Sequence, residues 1–277
     1  MNTCKVAVIG ATGAVGQVFL RIAEEREFPL ESIRLCASER SVGKKLRFKN
    51  QEIEVELCTE SLLEEVDFAF ISATTEISRE IAPKAANLGT IAIDDSSAFR
   101  MSDDVPLVIP EVNANDLEWH KGIVAIPNCS TTPLAMVLKT LSQIAEVKRV
   151  IVDTFQSVTG TGSAALREME EQSSKLLRNE PIEIVEYPHQ IAFNVIPHIE
   201  PFQENGYTRE EIKMVNETQK ILNKKDLSIS ATCVRVPVAT SHSESVHIEF
   251  KHPVSPDEAR KLLKDQPGME VVDDPLA

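Results

Sequence analysis

The sequence contains no long hydrophobic run, and positive charge is scarce in it. Its apolar runs are too short to cross a bilayer, so no transmembrane helix is expected. A net charge of −14 disfavours non-specific binding to nucleic acids and anionic membranes, although a local basic pocket for an anionic substrate is compatible with it. The opening residues, MNTCKVAVIGATG, are typical of a strand and a glycine-rich turn rather than of a signal peptide. We therefore expect a cytoplasmic location.

Cysteine is also sparse, with five widely spaced residues. An odd number without a leader peptide argues against a disulfide framework. No C-x-x-C motif or histidine pair predicts zinc, so no metal is expected. Four of the cysteines lie in apolar or alternating runs that are typical of buried thiols, and Cys129 is the exception.

The first half of the chain alternates strands with helices. The pattern predicts strands at 5–9, 32–38, 66–73, 90–97 and 122–128, with helices at 15–26 and 76–89. Such alternation is typical of the α/β class and of a doubly wound, Rossmann-like parallel sheet. We assign residues 1–127 to this domain.

After residue 127 the regular alternation of single strands and helices ends. Helices are predicted at 132–145, 163–177, 209–222 and 257–266, and strands at 147–158, 227–238 and 243–252, around an irregular stretch at 180–206. Thr208 with Glu211, and Ser255 with Glu258, form the pattern of a capping box at two helix starts. Residues 128–277 are therefore predicted to form an α+β domain with a mostly antiparallel sheet.

A glycine motif after the first strand predicts a dinucleotide site. Gly10, Gly13 and Gly16 follow a strand and open a helix, where backbone N–H groups approach a pyrophosphate. The spacing differs from G-x-G-x-x-G, so a turn needed only for packing is the alternative. At the end of the second strand, Ser38 and Arg40 suit the 2′-phosphate of NADP, whereas Glu39 would suit the ribose of NAD. The pattern favours NADP.

Cys129 lies just before a predicted helix, in IPNCSTTPLAMVL. The helix dipole favours a thiolate there, and Ser130, Thr131 and Thr132 are all capable N-caps. The position alone leaves a nucleophile and a buried structural thiol equally open. His242 shares strand parity with an apolar face and is either a satisfied core histidine or a recessed catalytic one.

Several motifs occur in the order found in bacterial aspartate-β-semialdehyde dehydrogenases, which the whole chain resembles. They are GATGAVG, ASERSVGK, IDDSSAFR, PEVN, IPNCSTT, QSVTGTG, REEIK and RVPVATSH. The resemblance implies NADPH-dependent reductive dephosphorylation of L-aspartyl-4-phosphate in lysine, threonine, methionine and diaminopimelate biosynthesis. It also implies a homodimer.

The resemblance further implies roles for individual residues. Cys129 resembles the nucleophile, His242 the general acid/base, and Gln156 the residue that orients the acyl intermediate. Arg235 resembles the residue that binds the substrate carboxylate, and Glu210 the partner of its ammonium group. Arg100, Lys213 and Asn128 resemble the residues that bind phosphate in the family. The cofactor-binding residues expected from the motifs and the resemblance are Gly10, Thr12, Gly13, Ala14, Val15, Gly16, Ser38, Arg40, Ser41, Ser72, Ala73, Ser157 and Gly160.

Two departures from the family pattern carry expectations of their own. Thr74, Thr75 and Glu76 stand where the family has a small turn near the cofactor, so they are expected to hinder its approach. The chain ends at VVDDPLA, while family members continue for several tens of residues, so we expect a missing C-terminal tail, lower stability and weak NADPH binding. The alternatives are an N-acetyl-glutamyl-phosphate reductase, or an inactive truncated relative that acts through protein interactions.

Overall fold

The computed structural model describes residues 3–274 and residue 276. Its contacts divide the chain into two compact units, Met1–Val108 with Asn113–Pro127, and Ile109–Val112 with Asn128–Ala277. The division falls at the predicted boundary, except that a four-residue segment of the first half belongs to the second unit. The outermost residues of the two predicted domains, 1, 2, 275 and 277, lie outside the described residues.

The first unit is built on a seven-stranded sheet in the order β3-β4-β2-β1-β5-β6-β7. Its strands are β1 (Cys4–Ile9), β2 (Leu30–Cys36), β3 (Lys45–Phe48), β4 (Gln51–Glu56), β5 (Phe68–Ile71), β6 (Ile91–Asp94) and β7 (Ile123–Ala125). All neighbouring pairs are parallel except β3 with β4. Without β3, the order is that of the Rossmann fold, which confirms the predicted class.

The helices of the first half start at residues suited to that position. They are α1 (Ala14–Glu25), α2 (Glu60–Glu64), α3 (Thr75–Asn87) and the short α4 (Pro110–Asn113). Thr59 and Thr74 cap α2 and α3 with their side chains. The central strands are buried on both faces, as Val8, Leu35 and Ile71 show, which explains why they appear in the sequence as continuous apolar runs.

The hairpin β3–β4 at the sheet edge was not predicted. Its turn residues Lys49 and Asn50 both have positive φ, 45° and 63°, as a two-residue type I′ turn requires. Alternation in KLRF and QEIEVE around this turn was the available signal. The strands are rich in charged residues, which suits an exposed edge and weakens a hydrophobic pattern.

The second unit carries a three-stranded sheet in the order β10-β8-β9. Its elements are α5 (Thr131–Leu141), β8 (Val147–Gln156), α6 (Ser163–Leu177), α7 (Arg209–Ile221), β9 (Ser228–Arg235), β10 (His242–Phe250) and α8 (Pro256–Lys264). β8 and β10 are antiparallel, but β8 and β9 are parallel. The described sheet is therefore mixed rather than mostly antiparallel. The chain between β8 and β9 contains two helices, so it is long enough for the crossover that two parallel neighbouring strands require.

Local helix signals in this half were accurate. The capping boxes of α7 and α8 are both formed, which confirms the predicted starts. α5 and α7 pack on the sheet around Leu138, Val150 and Met214, all fully buried. Across the part of the chain that the structure describes, no helix combines the length and the apolar character that crossing a bilayer requires.

Candidate active site

Three predicted site residues form one row across the second sheet. Gln156 is the last residue of the central strand β8, and it is paired with Arg235 on one side and His242 on the other. Arg235 ends β9 and His242 begins β10, so the seven-residue interval between them is a strand-to-strand connection. Residues 236–241 reverse the chain between these two strands, and all three side chains lie at the same end of the sheet.

Cys129 reaches this row from the start of α5. Its Sγ lies 3.2 Å from Nε2 of His242, within hydrogen-bonding distance for sulfur. The thiol is exposed, whereas the imidazole is half-buried. The structural alternative of a buried thiol at a helix start is therefore wrong for Cys129.

The backbone around Ser157 fixes the tautomer of His242. The N–H of Ser157 donates to Nδ1 at 3.0 Å, so this nitrogen is the acceptor and the neutral ring carries its proton on Nε2. Burial lowers the pKa of His242, against a backbone contact with Ser241 that raises it. The ring is thus neutral near pH 7, with an N–H aimed at the sulfur of Cys129.

A buried carboxylate organises the opposite side of the site. Oε1 of Glu210 accepts hydrogen bonds from Gln156 Nε2 at 2.9 Å and Asn128 Nδ2 at 3.0 Å. Nζ of Lys213 lies 3.3 Å from its other oxygen. Burial opposes ionisation, but Lys213 and the two amide donors together hold the pKa of Glu210 below its ordinary value. The carboxylate is therefore charged, and its binding of a substrate ammonium group stays a prediction.

Asn128 has a structural role that the sequence did not reveal. Its Oδ1 accepts the backbone N–H of Ser130 at 2.8 Å and of Thr131 at 3.4 Å, which satisfies donors at the start of α5. The expected caps Ser130 and Thr131 instead bury hydroxyls that have no hydrogen-bond partner among the described residues. The carboxylate of Glu217 accepts the backbone N–H of Asn128 at 2.7 Å and holds the segment before Cys129.

Arg235 is buried but keeps hydrogen-bonding capacity. Its Nη1 donates to the carbonyl of Ser157 at 2.6 Å, while Nε has no partner in the described part of the chain. A buried guanidinium with an unused donor is a site for a carboxylate, which it can bind in a bidentate manner. Gly160 lies beside it, since a Cβ on Gly160 would be 3.0 Å from Nη1.

The remaining members of the predicted phosphate set do not all meet in one unit. Lys213 forms ion pairs with Glu210 and, at 2.5 Å, with Glu200. Arg100 belongs to the first unit, is buried, and donates to the carbonyl of Asp95 at 2.8 Å. Phosphate binding by these residues stays a prediction.

The first unit contains a cleft of about 1000 Å³ at the carboxyl ends of its strands. It is lined by seven of the predicted cofactor residues, Gly10, Thr12, Gly13, Ser38, Arg40, Ser72 and Ala73. Gly10 has φ of +89°, and a Cβ there would lie 2.0 Å from the carbonyl oxygen of Ser72. Only glycine allows this close approach of backbone to backbone. The glycine cradle, the helix start and the Arg40 cation fit a dinucleotide with an extra phosphate.

Other predicted cofactor residues have different surroundings. Ala14 and Val15 are exposed at the start of α1, and Gly16 is buried against the backbone of Gly10. Ser41 is buried and lies 3.3 Å from Lys44 Nζ. Ser157 and Gly160 lie in the second unit.

The segment that departs from the family pattern is part of the cleft and of a helix start. Thr74 lines the cleft and caps α3 by accepting the N–H of Ile77 at 3.5 Å. Thr75 lies 3.2 Å from Ser97 through their hydroxyls, and Glu76 is exposed. The two threonine hydroxyls are thus engaged with the protein at the start of α3.

The sequence did not predict Thr154 and Glu217 as site residues, and it predicted Ser157 for the cofactor only. Ser157 contacts His242 and Arg235, Thr154 donates to Gln156 Oε1 at 3.0 Å, and Glu217 accepts the backbone N–H of Asn128. Strand parity could have suggested Thr154, two residues before Gln156. The partners of Ser157 and Glu217 are far apart along the chain, so no local pattern marks them.

Comparisons with known proteins agree with this arrangement. Residues 5–120 match the family model for the NAD binding domain of semialdehyde dehydrogenase, and residues 138–277 match the model for its dimerisation domain. An aspartate-semialdehyde dehydrogenase of Aquifex aeolicus is 47% identical over 275 residues, which cover 98% of this chain and 81% of the relative.

Solved structures give the same result. Aspartate semialdehyde dehydrogenase II of Vibrio cholerae, complexed with ASA, has a TM-score of 0.94 and 42% identity over 97% of this chain and 80% of its own. Aspartate semialdehyde dehydrogenase of Candida albicans, with NADP, has a TM-score of 0.73 and 25% identity over 95% of this chain and 76% of its own.

Proposed function

Since the chain belongs to the aspartate-semialdehyde dehydrogenase family, we propose that Cys129 is the nucleophile of its reaction and His242 the proton donor and acceptor. The chain catalyses the reductive dephosphorylation of L-aspartyl-4-phosphate to L-aspartate-4-semialdehyde with NADPH. The reaction belongs to the biosynthesis of amino acids derived from aspartate. The observation that carries the assignment of roles is the 3.2 Å contact of Sγ and Nε2.

The first step is acyl transfer to sulfur. Cys129 attacks the acyl carbon as a thiolate, the C–S bond forms, and inorganic phosphate leaves. The Nε2–H of His242 stabilises the thiolate before attack, because Ser157 keeps the proton on that nitrogen. Gln156 orients the carbonyl oxygen of the thioester, a role that its pairing with His242 supports.

NADPH, when bound, supplies the hydride that reduces the thioester. The Nε2–H of His242 then donates a hydrogen bond to the developing alkoxide and shares its proton with it, without full transfer, until the C–S bond breaks and the aldehyde leaves. Cys129 departs as a thiolate and is ready for another cycle. In the first unit, Gly10, Thr12, Gly13, Ser38 and Arg40 would hold the dinucleotide.

Two charged groups select the amino-acid end of the substrate. Arg235 binds the α-carboxylate through its guanidinium donors. Glu210 binds the α-ammonium group, with its charge maintained by Lys213. The free α-ammonium that this pair requires distinguishes aspartyl phosphate from an N-acetylated substrate, so the alternative of an N-acetyl-glutamyl-phosphate reductase is disfavoured.

A homodimer and a cytoplasmic location complete the proposal. The match of residues 138–277 to a dimerisation domain supports the dimer. The cytoplasmic location is supported by the biosynthetic role of the related enzymes.

The test is phosphate-dependent reduction of NADP by aspartate semialdehyde. Cys129→Ala is expected to abolish turnover, whereas Cys233→Ala, which changes a buried thiol of the same unit, is expected to retain it. Turnover by the Cys129 variant would refute the assigned nucleophile. Absence of turnover in the unaltered chain would favour the inactive relative instead.

A further inference from the structure

Two thiols of the nucleotide cleft have no part in the proposed mechanism. Cys36 is the last residue of β2, and Cys58 follows β4, the parallel neighbour of β2. Both line the cleft that Gly10 and Arg40 line. Cys36 is fully buried, whereas Cys58 is half-buried and closer to solvent.

The two thiols interact with each other. A hydrogen bond from Cys36 and the positive charge of Lys84 together lower the pKa of Cys58, against the opposing effect of burial and of nearby carboxylates from Glu56 and Glu80. The same hydrogen bond and burial raise the pKa of Cys36. Cys58 is therefore the more acidic thiol of the pair.

The remaining thiols outside the catalytic site differ from Cys58. Burial raises the pKa of Cys4, whose sulfur is 3.8 Å from the carbonyl of Pro29, and raises that of Cys233 to about 12. Cys58 alone among these combines a neighbouring thiol donor, a cation and a place in the cleft wall.

We propose that Cys58 is a second reactive thiol of this chain, a thiol–disulfide exchange site in the wall of the nucleotide cleft. Its modification by a small disulfide and the binding of NADP(H) exclude each other, because a glutathionyl group on Cys58 occupies the cleft that Gly10, Ser38 and Arg40 line. The inference rests on the proposed nucleotide site.

The exchange uses glutathione disulfide as the oxidant. The Cys58 thiolate attacks one sulfur, a new S–S bond forms as the old one breaks, and one glutathione thiolate leaves and takes a proton from solvent. Cys58 is oxidised and the departing sulfur is reduced. If Cys36 next attacks Cys58 and releases its proton to solvent, a second glutathione leaves and a Cys36–Cys58 disulfide remains.

The test uses the full chain with Cys129→Ser, so that the catalytic thiol does not react. After incubation with glutathione disulfide, peptide mass identifies the modified cysteine and distinguishes an adduct from a loss of two hydrogens. NADPH affinity is measured by nucleotide fluorescence before and after modification. Saturating NADP is expected to slow modification of Cys58 at least about tenfold, because only the nucleotide-free chain reacts. Modification is expected to weaken NADPH binding at least about tenfold, because the two occupants exclude each other.

Matched variants in the same background separate the outcomes. Cys58→Ser is expected to bind NADPH and to remain unmodified, whereas Cys233→Ser should behave like the parent. Modification only at other cysteines, a rate unaffected by NADP, or unchanged NADPH affinity after modification of Cys58 would each overturn the proposal. Failure of the unmodified chain to bind NADPH, visible before any disulfide is added, would overturn the nucleotide site and this inference with it.

Discussion

The two units form their sites in opposite ways. The cleft of the first unit depends on missing side chains, since a Cβ on Gly10 or Gly16 would lie 2.0 or 2.4 Å from a backbone oxygen. The site of the second unit depends on buried side chains that hold one another, among them Glu210, Gln156 and Arg235. Added atoms should therefore break the first site, and removed charges or donors the second.

Among substitutions that keep the Cys129 thiol, the largest effect is expected from Arg235→Lys in the second unit. Lysine keeps the positive charge but loses the planar pair of donors that suits a carboxylate, so kcat/KM for the semialdehyde should fall about 10³-fold, or about 4 kcal/mol. Steady-state kinetics measures the loss, and NADPH affinity, determined separately, should stay at the wild-type value. An equally large loss of NADPH affinity would show that the two sites do not depend on separate groups.

In the first unit, Gly10→Ala is expected to have the next largest effect. The new Cβ would clash with the Ser72 carbonyl at a φ of +89°, which should lower the free energy of unfolding by about 2–4 kcal/mol and impair nucleotide binding. Gly43→Ala is the matched control, because φ is +80° and nothing lies within 4 Å of the added atom. Denaturation curves measure the loss of unfolding free energy in both variants. Gly43→Ala reports the backbone cost alone, and Gly10→Ala adds the clash. Equal losses in the two variants would contradict the role assigned to Gly10.

Gly160→Ala tests whether the second site also needs a missing side chain. The Cβ would lie 3.0 Å from Arg235 Nη1 and 3.5 Å from His242 Cε1, in the space next to both groups. Because φ at Gly160 is not positive, little stability should be lost, while kcat/KM should fall about tenfold. Thermal unfolding alongside kinetics separates the two effects. Unchanged kinetics would place the substrate away from Gly160.

The smallest effect concerns Glu244, which is on β10 two residues after His242 and has one buried oxygen without a partner in the described chain. Burial raises the pKa of Glu244 to about 7. At a pH between the ordinary glutamate pKa and about 7, the native state therefore keeps a proton that the unfolded state has lost. The associated stability is present at low pH and is lost as pH rises through about 7. Relative to wild type, Glu244→Gln should therefore gain about 1–2 kcal/mol between pH 5 and pH 8, a value reduced for partial exposure.

The control for that prediction is Glu249→Gln on the same strand. Lys148 lowers the pKa of Glu249 through a hydrogen bond, which is the opposite direction. This variant should show no gain as pH rises. Equal behaviour of the two variants in urea denaturation at both pH values would contradict the role of burial at Glu244.

Prediction from the sequence succeeded where the signal was local. The Rossmann alternation, the glycine turn and both capping boxes depend on residues within a few positions of one another, and the structure contains all of them. It failed at the β3–β4 hairpin, whose charged edge strands carry little hydrophobic pattern, and at the parallel pairing of β8 with β9, which depends on a connection of about seventy residues. Phosphate binding by Asn128 stays a prediction, and the structure adds that its Oδ1 accepts the backbone N–H groups of Ser130 and Thr131 at the start of α5.

By itself the sequence determined the order of elements and the nucleotide turn, because propensity, capping and strand parity act over short distances. The expected catalytic positions followed from the resemblance to a family. Only the tertiary structure decided that Arg235, Gln156 and His242 share one row and that Cys129 meets His242 across 113 positions of the chain. It also decided which nitrogen of His242 carries the proton, through the amide of Ser157. Such contacts depend on sheet register and crossover, which hydrophobic periodicity does not specify.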